Sequence, residues 1–185
     1  MHPLIHLALK QYVEARHGVK GWLGFLDLAG VSTATPYVRV GDYPDEELYA
    51  IIAAVARGTG ATVDEVIEDF GVAIASELIT MYPRLVRPEW RSLDLICNTE
   101  QTIHAIVRQG HAGARPPALK CLRVSATELR LTYESSRRLC ALARGIMRGV
   151  GQHLGEALTV RQPECMLRGD PVCRFVVTVE PGDEG

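Results

Sequence analysis

Residues 128–138 read Glu-Leu-Arg-Leu-Thr-Tyr-Glu-Ser-Ser-Arg-Arg. Leu129, Leu131 and Tyr133 alternate with Glu128, Arg130 and Thr132, the two-residue period of a strand with one buried face. If the chain stays extended, the same parity carries Ser135 and Arg137, so a phenol, a hydroxyl and a guanidinium share that face. All three donate hydrogen bonds, and arginine can grip a carboxylate through two N–H groups at once. An arginine on a buried face with no anion beside it would be costly in desolvation. The competing reading is a plain strand-to-helix junction, with Ser135 or Ser136 capping the helix and Arg137 in solvent.

Downstream of this stretch, residues 136–154 return to helical periodicity. Residues 157–161 and 173–179 read as strands, the latter turning Cys173, Phe175, Val177 and Val179 inward. Upstream, Pro116-Pro117 opens an extended segment that returns through a hairpin near residues 126–128. The C-terminal part is therefore β-β-α-β-β.

The first two thirds are helical. Residues 3–16 carry Ile5, Leu9 and Tyr12/Val13 on one face and stop at Gly18; residues 22–29 form a second, short helix. Asp42-Tyr-Pro-Asp-Glu starts a helix that runs to about Arg57, with acids at its positive end. Thr62-Val-Asp-Glu65 is a capping box for a helix reaching Met81. Residues 92–109 form a helix carrying His104, closed by Gly110 and Gly113. The expected fold is α+β, in one domain over residues 1–185: a helical lobe over about 1–60, then a mixed lobe over 61–185 with a four-stranded antiparallel sheet and a long helix.

Of 185 residues, 47% are hydrophobic and 23% charged, enough for a real core, and the net charge of -2 offers no footprint for nucleic acid. The N-terminus is interrupted by His2, His6 and Lys10, unlike a signal peptide, and no run of about 18 apolar residues could span a membrane. Five cysteines (Cys97, Cys121, Cys140, Cys165 and Cys173) make an odd count, which argues for a reducing, cytoplasmic setting in which clustered thiols bind metal or respond to oxidants. Cys97 reads as core packing and Cys121 has no assigned role. His2, His6, His17, His111 and His153 read as surface or boundary residues. No nucleophile–base or acid–base pair stands out, so a catalytic role is not expected.

Tyr133-x-Ser135-x-Arg137, with His104 upstream in its helix, resembles the haem–nitric-oxide/oxygen-binding domains of bacteria and of soluble guanylate cyclase. Ile5, Tyr-Pro-Asp-Glu-Glu (43–47), Phe70-Gly71 and Pro117 fall in the family's order and spacing, so the resemblance covers nearly the whole chain. It implies haem b between helices and sheet, with His104 as the proximal iron ligand, Tyr133, Ser135 and Arg137 on the propionates, and Ile5 and Pro117 pressing on the porphyrin. Leu9 stands where some relatives place a tryptophan, which implies milder distortion. Relatives that hold oxygen place a distal tyrosine at the position of Leu142, flanked by those of Ile74, Leu78 and Ile146. All four are aliphatic here and give bound oxygen no hydrogen-bond donor. The resemblance thus implies a sensor of nitric oxide and carbon monoxide that discriminates against oxygen. On nitric oxide binding the iron would leave His104, the haem would relax and the lobes would rotate. The output would pass to a histidine kinase or a diguanylate cyclase supplied in trans.

A subset of the family builds a zinc site from three cysteines and a histidine. Cys140, Cys165 and Cys173 match the cysteines, but Gln162 stands at the histidine position, leaving water or His153 to complete the set. Two other functions stay open: a haem-free sensor of an apolar small molecule, since the Cys165–Cys173 segment also resembles the vinyl-reductase-type ligand-binding domain, and a zinc or thiol redox switch.

Overall fold

The structure is a computed structural model that describes residues 3–38, 43–110 and 114–180. The expected helix-boundary residues Asp42 and Gly113, and the histidines His2 and His111, lie outside the described residues. By its contacts the chain divides into two compact units, Met1–Phe70 and Gly71–Gly185.

The first unit is helical. α1 (Pro3–Ala29) is broken at Gly18, whose backbone (φ 70°, ψ 172°) leaves the helical region, so the two expected helices abut without a linker. α2 (Asp45–Thr59) begins after Pro44 with Asp45, Glu46 and Glu47 in its first turn, and ends on Gly60 in the left-handed conformation. Leu9, Val13, Leu26, Leu48, Ile51, Ile52, Val55 and Phe70 form its buried core. His6, read from sequence as a boundary residue, is only 1% exposed. It stacks on Tyr37 at 5.8 Å and shares a 3.1 Å hydrogen bond between Nε2 and the Pro44 carbonyl. Its partners lie 31 and 38 residues away, out of reach of local periodicity.

α3 (Val63–Met81) starts with the expected capping box: the Glu65 N–H donates to Thr62 Oγ1 at 3.2 Å, and the Thr62 N–H donates to Glu65 Oε2 at 2.8 Å. In the second unit follow α4 (Ser92–Asn98), a π-helical segment (Glu100–His104), α5 (Ala105–Gly110), β1 (Ala118–Arg123), β2 (Glu128–Glu134), α6 (Cys140–His153), β3 (Leu158–Glu164), a 3-10 turn (Met166–Arg168) and β4 (Cys173–Val179). The sheet is antiparallel, in the order β1-β2-β4-β3. This is the α+β architecture expected, a helical N-terminal part followed by β-β-α-β-β. The β3–β4 register shifts between Arg161 and Glu164, where Pro163 on an edge strand has no N–H to give the ladder.

Leu129, Leu131, Tyr133, Cys173, Phe175 and Val177 are all 3% exposed or less and share one core with Leu93, Leu95 and Ile96 of α4 and Met147 and Val150 of α6. Glycines let α3 and α6 touch. A Cβ on Gly149 would lie 2.5 Å from Ala75 Cβ and 2.6 Å from the Val72 carbonyl, and one on Gly71 would lie 2.6 Å from the Leu142 carbonyl. Gly149→Ala is therefore expected to cost about 1–3 kcal/mol through overpacking, read as a lower urea midpoint at unchanged slope; an unchanged midpoint would mean the helices can part freely.

Candidate functional site

His104 closes the π-helical segment, and its N–H donates to the Thr99 carbonyl at 3.0 Å, one residue further back than an α-helix allows. Glu100 lies four residues before His104, on the same side of the helical path. The imidazole Nδ1 lies 3.0 Å from Glu100 Oε2. A carboxylate only accepts, so Nδ1 carries the proton and a neutral ring keeps its lone pair on Nε2. Burial pulls the imidazole below the usual histidine range, against the opposing pull of Glu100. Neutral imidazole is the form that ligates a metal.

Glu100 does more than hold this ring. Its carboxylate also accepts from Arg108 Nη2 at 2.7 Å and from the Leu119 N–H at 3.1 Å. Burial works against its ionisation, but the bonds from His104, Arg108 and Leu119 hold its carboxyl below the usual range. His104 is thereby fastened to β1. The strand register then places Leu119 opposite Tyr133. Residues 115–119 serve both sides: Arg108 Nη2 reaches the Pro117 carbonyl at 3.4 Å, and Arg137 Nη1 donates to the Arg115 carbonyl at 2.7 Å. Sequence reasoning missed Glu100, although its four-residue spacing from His104 was a usable signal.

The phenol–hydroxyl–guanidinium face changes in the structure. Tyr133 is the last inward residue of β2, 3% exposed, with its ring edge-on to Phe175. Strand geometry ends at Glu134. The Ser135 hydroxyl accepts from the Arg137 N–H at 3.2 Å and the Ser135 carbonyl from the Arg138 N–H at 3.1 Å, while Arg138 takes a positive φ of 50°. This turn delays α6 to Cys140, four residues past its expected start. Ser135 and Arg137 are each half-buried, set by turn geometry rather than strand parity.

Of the aliphatic residues, Ile74 and Leu78 lie on α3 and Leu142 and Ile146 on α6, the two helices that the glycines bring together. Ile74 is buried; Leu78, Leu142 and Ile146 are half-buried. Leu9 is fully buried in the helical unit and Ile5 half-buried in the same helix.

Three thiols meet elsewhere. The Sγ atoms of Cys140, Cys165 and Cys173 all lie within 4.8 Å of one another, and all three residues are buried. The Asp170 carboxylate accepts from the Cys165 N–H at 2.7 Å, and the Met166 N–H points at Cys173 Sγ at 3.3 Å. Burial pushes the Cys140 thiol up to about 12 and raises Cys173. Cys165 goes the other way: burial opposes its ionisation, but bonds from the Leu167 N–H and the neighbouring thiols lower it. Gln162 Oε1 accepts from Arg144 Nη1 at 2.8 Å, so its oxygen is engaged, and its buried Nε2 has no hydrogen-bond partner. His153 is exposed and bonded to Ser76, 2.9 Å away. Among the described residues the thiol cluster includes no histidine.

Cys97 and Cys121, read as packing and as roleless, are joined in a disulfide with a Cα–Cα distance of 5.2 Å. The expectation of thiols throughout is corrected at this pair. The cause is tertiary: α4 lies along β1, so residues 24 apart in sequence become neighbours.

A half-buried imidazole held by a carboxylate, in an α+β unit with a four-stranded antiparallel sheet, defines a domain able to offer a histidine nitrogen to a metal. The sequence matches the family described as Haem-NO-binding over residues 2–162, and the chain belongs to that family of haem-based gas sensors. Solved structures share the fold. An H-NOX protein from S. oneidensis in the Fe(II)NO ligation state superposes with a TM-score of 0.90 at 23% identity, covering 98% of this chain and 100% of that one. Unliganded Fe(II) H-NOX from K. algicida gives 0.85 at 18% identity, with 100% of both chains covered. The I5F mutant of T. Tengcongensis H-NOX gives 0.83 at 18% identity, with 98% of both covered. No curated protein matches the chain.

Proposed function

We propose that residues 1–185 form one domain that holds haem b through His104 and senses nitric oxide, and carbon monoxide, while discriminating against oxygen. The observation that carries this reading is the half-buried His104 imidazole, whose Nδ1 is held 3.0 Å from Glu100 Oε2. The donor set fits the group. A single imidazole would hold the iron, half-buried Leu78, Leu142 and Ile146 suit an apolar macrocycle, and Tyr133, Ser135 and Arg137 would supply donors for its carboxylates. Bound haem would supply the ferrous iron that takes the gas. The protein's part is to offer His104 as a ligand that can be released, and to surround the gas with Ile74, Leu78, Leu142 and Ile146, none of which donates a hydrogen bond. Ile5, Leu9 and Pro117 are proposed as further haem-binding residues. Departure of His104 from the metal would move α5 and the π-helical segment, and so report occupancy to a histidine kinase or diguanylate cyclase in trans, without catalysis by this chain. The setting proposed is the cytoplasm; no helix among the described residues is long and apolar enough to cross a membrane.

The deciding experiment is the visible spectrum of the reduced protein under argon, in air and with nitric oxide. Five-coordinate ferrous haem, no stable oxygen complex and a five-coordinate nitrosyl are expected. A stable oxygen complex would defeat the discrimination, and a chain that takes up no haem would defeat the reading itself.

We also propose that Cys140, Cys165 and Cys173 take zinc as three thiolates, with water as the fourth ligand because the Gln162 oxygen is engaged by Arg144. Reduced, freshly purified protein is expected to contain one zinc per chain and Cys165→Ala none. Zinc-free parent protein would end this proposal.

A further inference from the structure

The seam between α4 and β1 is tied at three successive levels. Asp94 Oδ1 meets Arg123 Nη1 at 3.2 Å, Cys97 is bonded to Cys121, and Glu100 Oε2 accepts from the Leu119 N–H at 3.1 Å. Residues 94, 97 and 100 recur every three positions along the helical path, and 123, 121 and 119 every two along the strand. One helix face thus runs antiparallel to one strand face, and His104 follows one turn beyond the last tie.

The three ties are unequal. The Asp94–Arg123 pair is exposed, with side chains 40% and 36% accessible, and such pairs hold weakly. Glu100 shares its carboxylate among three donors. The middle tie is covalent. Cys97 on α4 and Cys121 on the edge strand β1 are both half-buried rather than sealed in the core, so the pair borders solvent. Neither belongs to the Cys140–Cys165–Cys173 cluster.

We propose that Cys97 and Cys121 are a reversible dithiol–disulfide site whose oxidant is a small hydroperoxide. A thiolate sulfur attacks one peroxide oxygen, the O–O bond breaks, and a sulfenic acid forms on that cysteine while the leaving hydroxide takes up the proton the thiol had released and becomes water. The second sulfur attacks it, the S–O bond breaks, a second water leaves and the S–S bond forms. Two thiols lose two electrons and two protons, and hydrogen peroxide becomes two waters. A small dithiol reverses the step by exchange: its thiolate opens the disulfide, and its second thiol closes on the mixed disulfide, leaving the reductant oxidised. The oxidised site clamps the His104-bearing helix to β1, and the reduced site leaves that helix on two non-covalent ties. Any consequence for release of His104 rests on the haem reading; the thiol chemistry does not.

The test uses the full chain. Protein is reduced with dithiothreitol, exposed to hydrogen peroxide, reduced again, and alkylated and peptide-mapped at each stage, with hydrogen exchange followed over residues 92–110. A linked Cys97–Cys121 peptide should appear after peroxide and vanish after dithiothreitol. Exchange over the helix should slow on oxidation by on the order of tenfold, and not in Cys97→Ser, or in Cys121→Ser should the first variant fail to fold. Two thiols still alkylated after peroxide, a link that dithiothreitol cannot open in the native protein, or identical exchange in both states would each overturn the proposal. A chain that cycles yet binds no haem would keep the site and sink the haem reading; a haem-loaded chain whose thiols never link would do the reverse.

Discussion

His104→Ala protein is expected to carry at least about tenfold less haem than the parent after identical purification, a loss worth about 1.4 kcal/mol or more of binding free energy. Imidazole added to the variant should restore much of it. The argument is one of ligand supply. In this structure His104 has its Nδ1 bound to Glu100 four residues before it, its burial lowers its affinity for a second proton, and the backbone around it adopts a π turn. Haem content, measured as haem absorbance against protein, decides the matter. A variant with full haem and an unchanged five-coordinate ferrous spectrum would show that another residue holds the iron. Glu100→Gln separates positioning from ligation: it should retain haem but lower the iron–histidine stretching frequency, because an amide withdraws the negative charge that makes the imidazole a stronger donor. An unchanged frequency would leave Glu100 as a fastening between helix and strand alone.

Phe175→Ala should cost about 3–5 kcal/mol of unfolding free energy. Phe175 is 0% exposed, sits on β4 between β2 and β3, pairs with Leu131 in register and meets the edge of the Tyr133 ring at a centroid distance of 6.2 Å. Its removal leaves a cavity that neighbours on three elements cannot all fill. Domains of this size are stable by only about 5–15 kcal/mol, so the variant should lie near the edge of folding at physiological temperature. Urea denaturation read by circular dichroism measures the loss. A change below about 1 kcal/mol would mean that the sheet face can collapse onto the gap.

The sheet was legible because its signal is local. A period of two marks β2 and β4 wherever one face is buried, and Leu129, Leu131, Tyr133, Cys173, Phe175 and Val177 all face inward as their parity required. Caps and glycines were legible for the same reason: Thr62 with Glu65, Gly60 and the break at Gly18 act within a turn of themselves. The turn after Glu134 was not, since a serine hydroxyl and a left-handed Arg138 compete with strand geometry and parity cannot see them. The π turn at His104 was also hidden, because an inserted residue shifts a helical face without changing its composition.

Composition and periodicity alone thus determined an α+β chain with a β-β-α-β-β end, its buried strand faces and the helix that bears His104. Only the tertiary structure decided which residues separated by tens of positions meet: His6 with Pro44, Glu100 with Leu119, Cys97 with Cys121, and the three thiols of Cys140, Cys165 and Cys173. The physical reason is range. Backbone periodicity is set by contacts a few residues apart, whereas these pairings follow from packing one element on another, where a single turn or inserted residue changes which side chains face each other.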